Sequence, residues 1–275
     1  MVTLQELLDR HTACAAPGLA RREGPGIRCL SCGHRCLIQD GRRGVCRVRY
    51  VENDELRVPA GYVAGLAVDP VEKKPFFHVL PGESALSFGM LGCDLHCAYC
   101  QNWNTSQSLR DAGADSRPRR IRASEIVGLC VESSCPILVS TYNEPLITAE
   151  WSHGIFELAK EKGILTGFVS NGNATPEVLD YLRPVTDLYK VDLKGFDDRH
   201  YRQLGCPLRN ILDGIAMVHE RGFWLEVVTL VVPGFNDSDR ELANIARFLL
   251  DLSADIPWHV TAFHPDYKMR EPRST

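Results

Sequence analysis

"GMLGCDLHCAYCQNW", residues 89 to 103, sets Cys93, Cys97 and Cys100 in a C-x3-C-x2-C spacing, with Tyr99 just before the last cysteine. Three thiols are one too few for a closed zinc site and one too many for a disulfide. They do hold three corners of a cubane [4Fe-4S] cluster, and they leave the fourth iron open to another ligand. A zinc site completed by His96 or by a distant residue is the competing reading. His96 itself reads as solvent-facing or as a support for the ligands rather than as a ligand.

Outward from this stretch the chain alternates between short β-rich runs and helical patterns. The runs are "ALSFGML" (85 to 91), "PILVSTY" (136 to 142), "ILTGFVS" (164 to 170), "DLYKVDL" (187 to 193), "WLEVVTLVV" (224 to 232) and "WHVTAFH" (258 to 264). Between them "SEIVGLCVES" suggests a helix capped by Ser124, and "TPEVLDYL" a helix with Thr175 as cap and Pro176 at its first position. "NDSDRELANIARFLLDL" is the clearest amphipathic helix. Such alternation predicts parallel β-α units, either a doubly wound sheet or most of a TIM-type barrel.

The polar residues favour the barrel. Cys93 follows the first run, Asn143 and Glu144 the second, Ser170 and Asn171 close the third, Asp192 and Lys194 the fourth, Thr229 lies in the fifth and His264 ends the sixth. In a barrel all such strand ends face one mouth, whereas a doubly wound sheet offers one crevice.

Before residue 85 the pattern differs. "CLSCGHRCLIQDGRRGVC" places Cys29, Cys32, Cys36 and Cys46 on Gly-rich turns, enough thiols for a second metal site, either zinc or an auxiliary iron-sulfur cluster. The "CLSCG" knuckle favours zinc, electron supply to the first cysteine site would favour iron and sulfur, and four unligated thiols is the plain alternative. Residues 1–84 therefore read as a Cys-rich module with a barrel-entry segment, and 85–275 as the barrel. Cys14, Cys130, Cys135 and Cys206 read as ordinary buried thiols.

The 275 residues are 44 % hydrophobic and 24 % charged, with eleven cysteines and a net charge of -4. No stretch matches a membrane span, and "MVTLQELLDRHTAC" puts Leu4, Leu7 and Leu8 on one helical face without the apolar core of a signal peptide. The expectation is a cytoplasmic protein with reduced thiols. The overall charge gives no reason to expect nucleic acid or a membrane surface as partner. The first 50 residues hold nine Arg against four acidic residues, which reads as a solvated basic face or a contact for an anion.

Several smaller features carry two readings each. In "DPVEKKPFFH", Asp69, Glu72, Lys73, Lys74 and His78 form either a surface turn held by ion pairs or a segment over the barrel mouth whose Lys73, Lys74 and His78 meet an anionic substrate. "SNGN" contains possible ligand contacts or simply a turn in which Gly172 takes a positive φ. Glu226 and Thr229, read as sharing one face of the fifth strand, either line the barrel interior or satisfy each other. The chain ends soon after the sixth run, so either it is truncated or the N-terminal module or a partner covers the barrel edge. An open edge there predicts lowered solubility for the isolated chain.

Cys93-Asp94-Leu95-His96-Cys97-Ala98-Tyr99-Cys100 resembles the C-x3-C-x-aromatic-C signature of radical S-adenosylmethionine (SAM) enzymes. The resemblance implies a partial (β/α)6 barrel whose open iron is chelated by the methionine part of SAM, with cleavage to a 5'-deoxyadenosyl radical that abstracts hydrogen from a substrate. "VDLKGFDD" and "FHPD" are similar to segments of the pyruvate formate-lyase activating enzyme group. They imply that Asp192 and Lys194 hold the amino and carboxylate groups of SAM and His264 its ribose. Tyr99 would lie near the adenine, Glu144 near the amino group, and Ser170 and Asn171 against SAM, while Tyr142 and Asn143 stand where the family has glycines.

"VDPVEKKPFFHVLPG", "STYNEP", "VDLKGF" and "VVPGFND" together resemble the radical SAM member of the AmmeMemoRadiSam system. That likeness makes MEMO-type and AMMECR-type proteins candidate partners, beside a reductant such as flavodoxin or ferredoxin. A glycyl-radical enzyme activase is the alternative within this class. An iron-sulfur electron-transfer or scaffold protein is the alternative outside it, and it would need none of Glu144, Asp192, Lys194 or His264.

Overall fold

The computed structural model describes residues 3–271 and 274. The six β-rich runs become six parallel strands, β1 (Ser84–Gly89), β2 (Ile137–Ser140), β3 (Leu165–Ser170), β4 (Leu188–Asp192), β5 (Trp224–Val231) and β6 (Trp258–Ala262), lying side by side in chain order. A doubly wound sheet reverses its order at a switch point, and this sheet does not. Strand Gly65–Pro70 adds antiparallel to β1, with Gly65 opposite Gly89. It and β6 form the two outer strands, so the barrel is partial.

Each crossover carries a helix on the outer face. These are α1 (Ala123–Glu132), α2 (Ala149–Lys160), α3 (Pro176–Leu182), α4 (Asp198–Leu204), α5 (Leu208–Glu220) and α6 (Asp239–Leu252). Helical periodicity decides what each buries. Ile245 and Leu249 of α6, and Ile211 and Ile215 of α5, are four residues apart and face the sheet, each worth about 1.5–3 kcal/mol when fully buried. Thr175 caps α3 by accepting a hydrogen bond from Val178 N at 3.2 Å, with Pro176 first in the helix. The expected cap of α1 moves: Arg122 is its N-cap residue and Ser124 lies inside the first turn, because Glu125 accepts from Arg122 N at 2.7 Å.

Two small three-stranded sheets occupy residues 12–59. They rest on α3 and on the turn Pro145–Thr148. Arg35 grips Glu177 with two bonds of 2.9 and 2.6 Å, Ser31 Oγ donates to Leu146 O at 3.0 Å, and Arg49 Nε donates to Ile147 O at 2.8 Å. The N-terminal segment therefore covers the ends of β2 and β3, not the outer side of β6. Among the described residues no strand pairs with that side of β6, and Val260 there is exposed.

Past β6 the chain turns back onto the cysteine loop, where Lys268 N donates to Ala98 O at 3.0 Å and Tyr267 stacks on Trp103 at 5.1 Å. Cys130, Cys135 and Cys206 are buried as expected, but Cys14 is exposed, because its strand Thr12–Cys14 lies at the rim of a small sheet. No helix among the described residues is long and apolar enough to cross a membrane.

Candidate active site

The first cysteine of the loop, Cys93, lies four residues past the end of β1, and Asp94 holds the loop in place. This carboxylate is completely buried. Its Oδ1 accepts from Asn171 Nδ2 and its Oδ2 from Asn173 Nδ2, both at 2.7 Å, which ties the loop to the end of β3. Gln107 Nε2 donates to Leu95 O at 3.1 Å, and His96 N donates to Leu204 O at 2.9 Å. His96 thus belongs to the outer side of the loop, where burial lowers its pKa. Cys93 Sγ accepts from Leu95 N at 3.3 Å, and Cys100 Sγ lies 3.1 Å from Ser106 Oγ.

Cys93, Cys97 and Cys100 line one small cavity of about 90 Å³ with Glu144, Ser170 and Asn171. Asp192 and Lys194 line both it and an adjoining cavity of about 470 Å³, which also takes in Tyr99, Tyr142 and Lys190. Residues 50 to 100 positions apart in the chain meet here because the strands are parallel and end at one rim.

Burial pushes the thiols up, Cys97 to about 12 and Cys93 well above the ordinary range. A group that makes them thiolates must therefore supply positive charge, as iron does. No three of these sulfurs lie within 4.8 Å of one another, as donors to a single ion would. The same holds for Cys29, Cys32, Cys36 and Cys46, of which only Cys36 is not buried. Burial raises Cys46 to about 11, and the buried Arg49 guanidinium lies 3.7 Å from Cys29 Sγ.

The carboxylates differ in kind. Glu144 accepts from Ser170 Oγ at 2.7 Å, Asn171 N at 2.7 Å and Leu146 N at 3.1 Å, yet burial first and the charge of Asp94 second raise it to about 8. Asp192 is opposed by burial too, but Lys190 and Lys194 outweigh this and bring it down to about 2. Lys190 forms an ion pair with Asp192 and Lys194 Nζ approaches it at 3.4 Å. Burial lowers Lys190 and also opposes the charge on Lys194, where the Asp192 carboxylate prevails and holds the ammonium well above its usual value.

Tyr99 packs edge-on against Phe235 at 5.6 Å, and its buried hydroxyl has no partner among the described residues. Tyr142 takes φ +71°, a left-handed conformation that a glycine adopts freely. Its ring lies against Gly65 and Gly89, where a Cβ on either would come within 3.0 Å of the ring. Its hydroxyl lies 2.8 Å from Ser87 Oγ and accepts from Lys74 Nζ at 3.0 Å. Gly172 takes φ +80°, and a Cβ there would meet Val191 Cγ1 at 2.6 Å.

Other expected residues go elsewhere. His264 is exposed, with Nδ1 3.3 Å from Ser274 Oγ, and lines neither cavity. Lys73 and Lys74 do line the larger cavity, and both pair with Asp69 at 3.0 and 2.9 Å, so the ion-paired turn and the rim position coexist. His78 instead turns to Glu226. Glu226 and Thr229 do not satisfy each other: three residues apart in a strand they point to opposite faces. Thr229 Oγ1 donates to Leu193 O at 2.9 Å and accepts from Trp258 Nε1 at 3.0 Å.

Asp94 and Lys190 were not anticipated. Lys190 was within reach, since positions 190, 192 and 194 share one strand face by the period of two.

A family model described as Radical SAM superfamily matches residues 89–248. The chain is 35% identical over 247 residues to an uncharacterized protein of Methanocaldococcus jannaschii, covering 89% of this chain and 73% of that one. It is 25% identical over 202 residues to the pyruvate formate-lyase 1-activating enzyme of Escherichia coli (strain K12), covering 70% and 80%. Among solved structures it is similar to Streptococcus suis SuiB, with a TM-score of 0.52 at 13% identity over 67% of this chain and 40% of that longer one, a likeness of fold.

Proposed function

Since the chain belongs to the radical SAM superfamily, we propose that Cys93, Cys97 and Cys100 hold a [4Fe-4S] cluster beside bound SAM and that the protein abstracts hydrogen from a substrate. One observation carries this: three thiols, an anion held at about 2 and a fully charged ammonium line the same pair of adjoining cavities. When bound, the cluster and SAM supply reductive cleavage of the sulfonium and a 5'-deoxyadenosyl radical.

The chain's own residues bind and orient. Lys194 offers a cation to a carboxylate, and Asp192 offers an anion to an ammonium. Glu144, anchored by Ser170 and Asn171, gives a second acceptor in the smaller cavity, and the free hydroxyl and ring of Tyr99 offer a face and a donor to a base. Asp94 fixes the loop without facing the cavity. For His264 the support is the resemblance alone.

The finer readings rest on the motifs and on the relatives. The Escherichia coli relative favours a glycyl-radical enzyme activase, and the motif set favours the radical SAM member of the AmmeMemoRadiSam system with MEMO-type and AMMECR-type partners. A flavodoxin or ferredoxin supplies the electron, and the free cysteines suit a reducing cytoplasm. Residues 1–84 form the Cys-rich module and the barrel-entry segment, and 85–275 the barrel; Cys29, Cys32, Cys36 and Cys46 take zinc or an iron-sulfur cluster, zinc requiring their sulfurs to close in from where they stand here. Anaerobic reconstitution followed by dithionite-driven release of 5'-deoxyadenosine tests the class. Release by wild type and none by Cys97→Ala is expected; release by both, or by neither, contradicts the proposal.

A further inference from the structure

Below the cofactor cavities, at the start of β5, three side chains from three separate elements converge. Glu226 comes from β5, His259 from β6, and His78 from the segment 74–82 that leads into β1. One ring nitrogen of each histidine and a carboxylate oxygen lie within 4.8 Å of one another, and among the described residues no other set of three His, Cys, Asp or Glu does so. A single oxygen, Glu226 Oε2, faces both rings, with His259 Nε2 at 2.6 Å and His78 Nδ1 at 3.4 Å.

Every remaining donor orients this carboxylate. Oε1 accepts from His78 N and Trp224 Nε1, both at 3.1 Å, and Oε2 accepts from Phe77 N at 3.0 Å. Metal-ligating carboxylates are fixed in this way by outer hydrogen bonds. The His259 ring packs against Phe77 at 4.6 Å and stacks with His78 at 5.4 Å. Glu226 is wholly buried while the His78 side chain is 54% exposed, so the set has a desolvated anion on one side and a route for an ion and its water on the other.

Two imidazoles and one carboxylate form a donor set suited to Zn2+ and to its first-row neighbours. We propose that His78, Glu226 and His259 bind one divalent transition-metal ion, Zn2+ by preference, which pins the 74–82 segment to β5 and β6. Because Lys73 and Lys74 lead into that segment and line the larger cavity, the ion also fixes where their charges stand. This site is independent of the cysteine sites and of radical chemistry.

The test is a titration of the full-length, chelator-treated protein with Co2+ under anaerobic conditions. The expected result, beside any Co2+ that the cysteines take with thiolate charge-transfer bands, is one equivalent with ligand-field bands of nitrogen and oxygen ligation alone, displaced by Zn2+. His78→Ala and His259→Ala, checked for unchanged circular dichroism, each lose that equivalent, whereas Cys29→Ala keeps it. If either histidine variant folds and retains the equivalent, or if all bound Co2+ shows thiolate ligation, Glu226 is held by hydrogen bonds alone and the proposal falls.

Discussion

Glu144 and Glu226 are both buried acids inside one barrel, the first at the rim and the second near the floor, and their surroundings push them in opposite directions. Burial raises both. At Glu144 the neighbouring charge of Asp94 adds to it, and three donors do not compensate. At Glu226 the Trp224 indole, the Phe77 and His78 amides and His259 outweigh it, so the carboxyl lies below its usual value. The difference teaches what each end of the barrel is built for. The floor holds an anion that this chain's own donors already stabilise before any ion binds, while the rim holds an acid that becomes comfortable as an anion only when a cation arrives.

The largest effect expected is at the rim. Cys97→Ala reduces 5'-deoxyadenosine formation to background by chromatography. Next, Asp192→Asn strands the buried Lys190 and Lys194 without their anion, with a stability loss of about 1.5–3 kcal/mol in urea denaturation, less than for a fully buried pair because the Asp192 side chain is partly exposed. The same variant weakens SAM binding at least about tenfold, the loss of one charge-assisted contact.

The comparison itself is sharpened by a matched pair of variants. Glu226→Gln costs about 1.5–3 kcal/mol of stability through its charged hydrogen bonds. Glu144→Gln, at a site already protonated near neutral pH, costs about 1 kcal/mol or less but weakens SAM binding. Equal stability losses would erase the contrast between rim and floor.

The smallest effect is expected where the N-terminal segment meets α3. Arg35 holds Glu177 below its ordinary pKa. The stability this adds is present above the unfolded carboxyl's pKa and is lost as pH falls through the lower folded value. Arg35→Ala removes about 0.2–1 kcal/mol and flattens that acid dependence, measurable by urea denaturation at a series of pH values.

How much could be read in the sequence follows from distance along the chain. The strands lie within a few residues of the β-rich runs because their composition is local, and Cys93, Cys97 and Cys100 sit within one loop. Asp192 and Lys194 were readable as loaded residues at a strand end. The floor set was not, since His78 and Glu226 are 148 positions apart and meet only when the barrel curls. Lys74 read either as a surface-turn lysine or as one over the barrel mouth; it is 5% exposed, with Asp69 and Tyr142 accepting its bonds, and lines the larger cavity. The cap at Arg122 was missed because the bond there runs from its backbone N–H to the Glu125 carboxylate, which needs no Ser or Thr side chain at the cap position.

The central claim is that three thiols here hold a cluster with one open iron beside a site for SAM. Electron paramagnetic resonance of the anaerobically reduced protein, recorded with and without SAM, tests it most directly. A cluster signal that changes on adding SAM, and that is absent from Cys97→Ala, is predicted. A signal indifferent to SAM, or one that survives in Cys97→Ala and still responds to SAM, would contradict it.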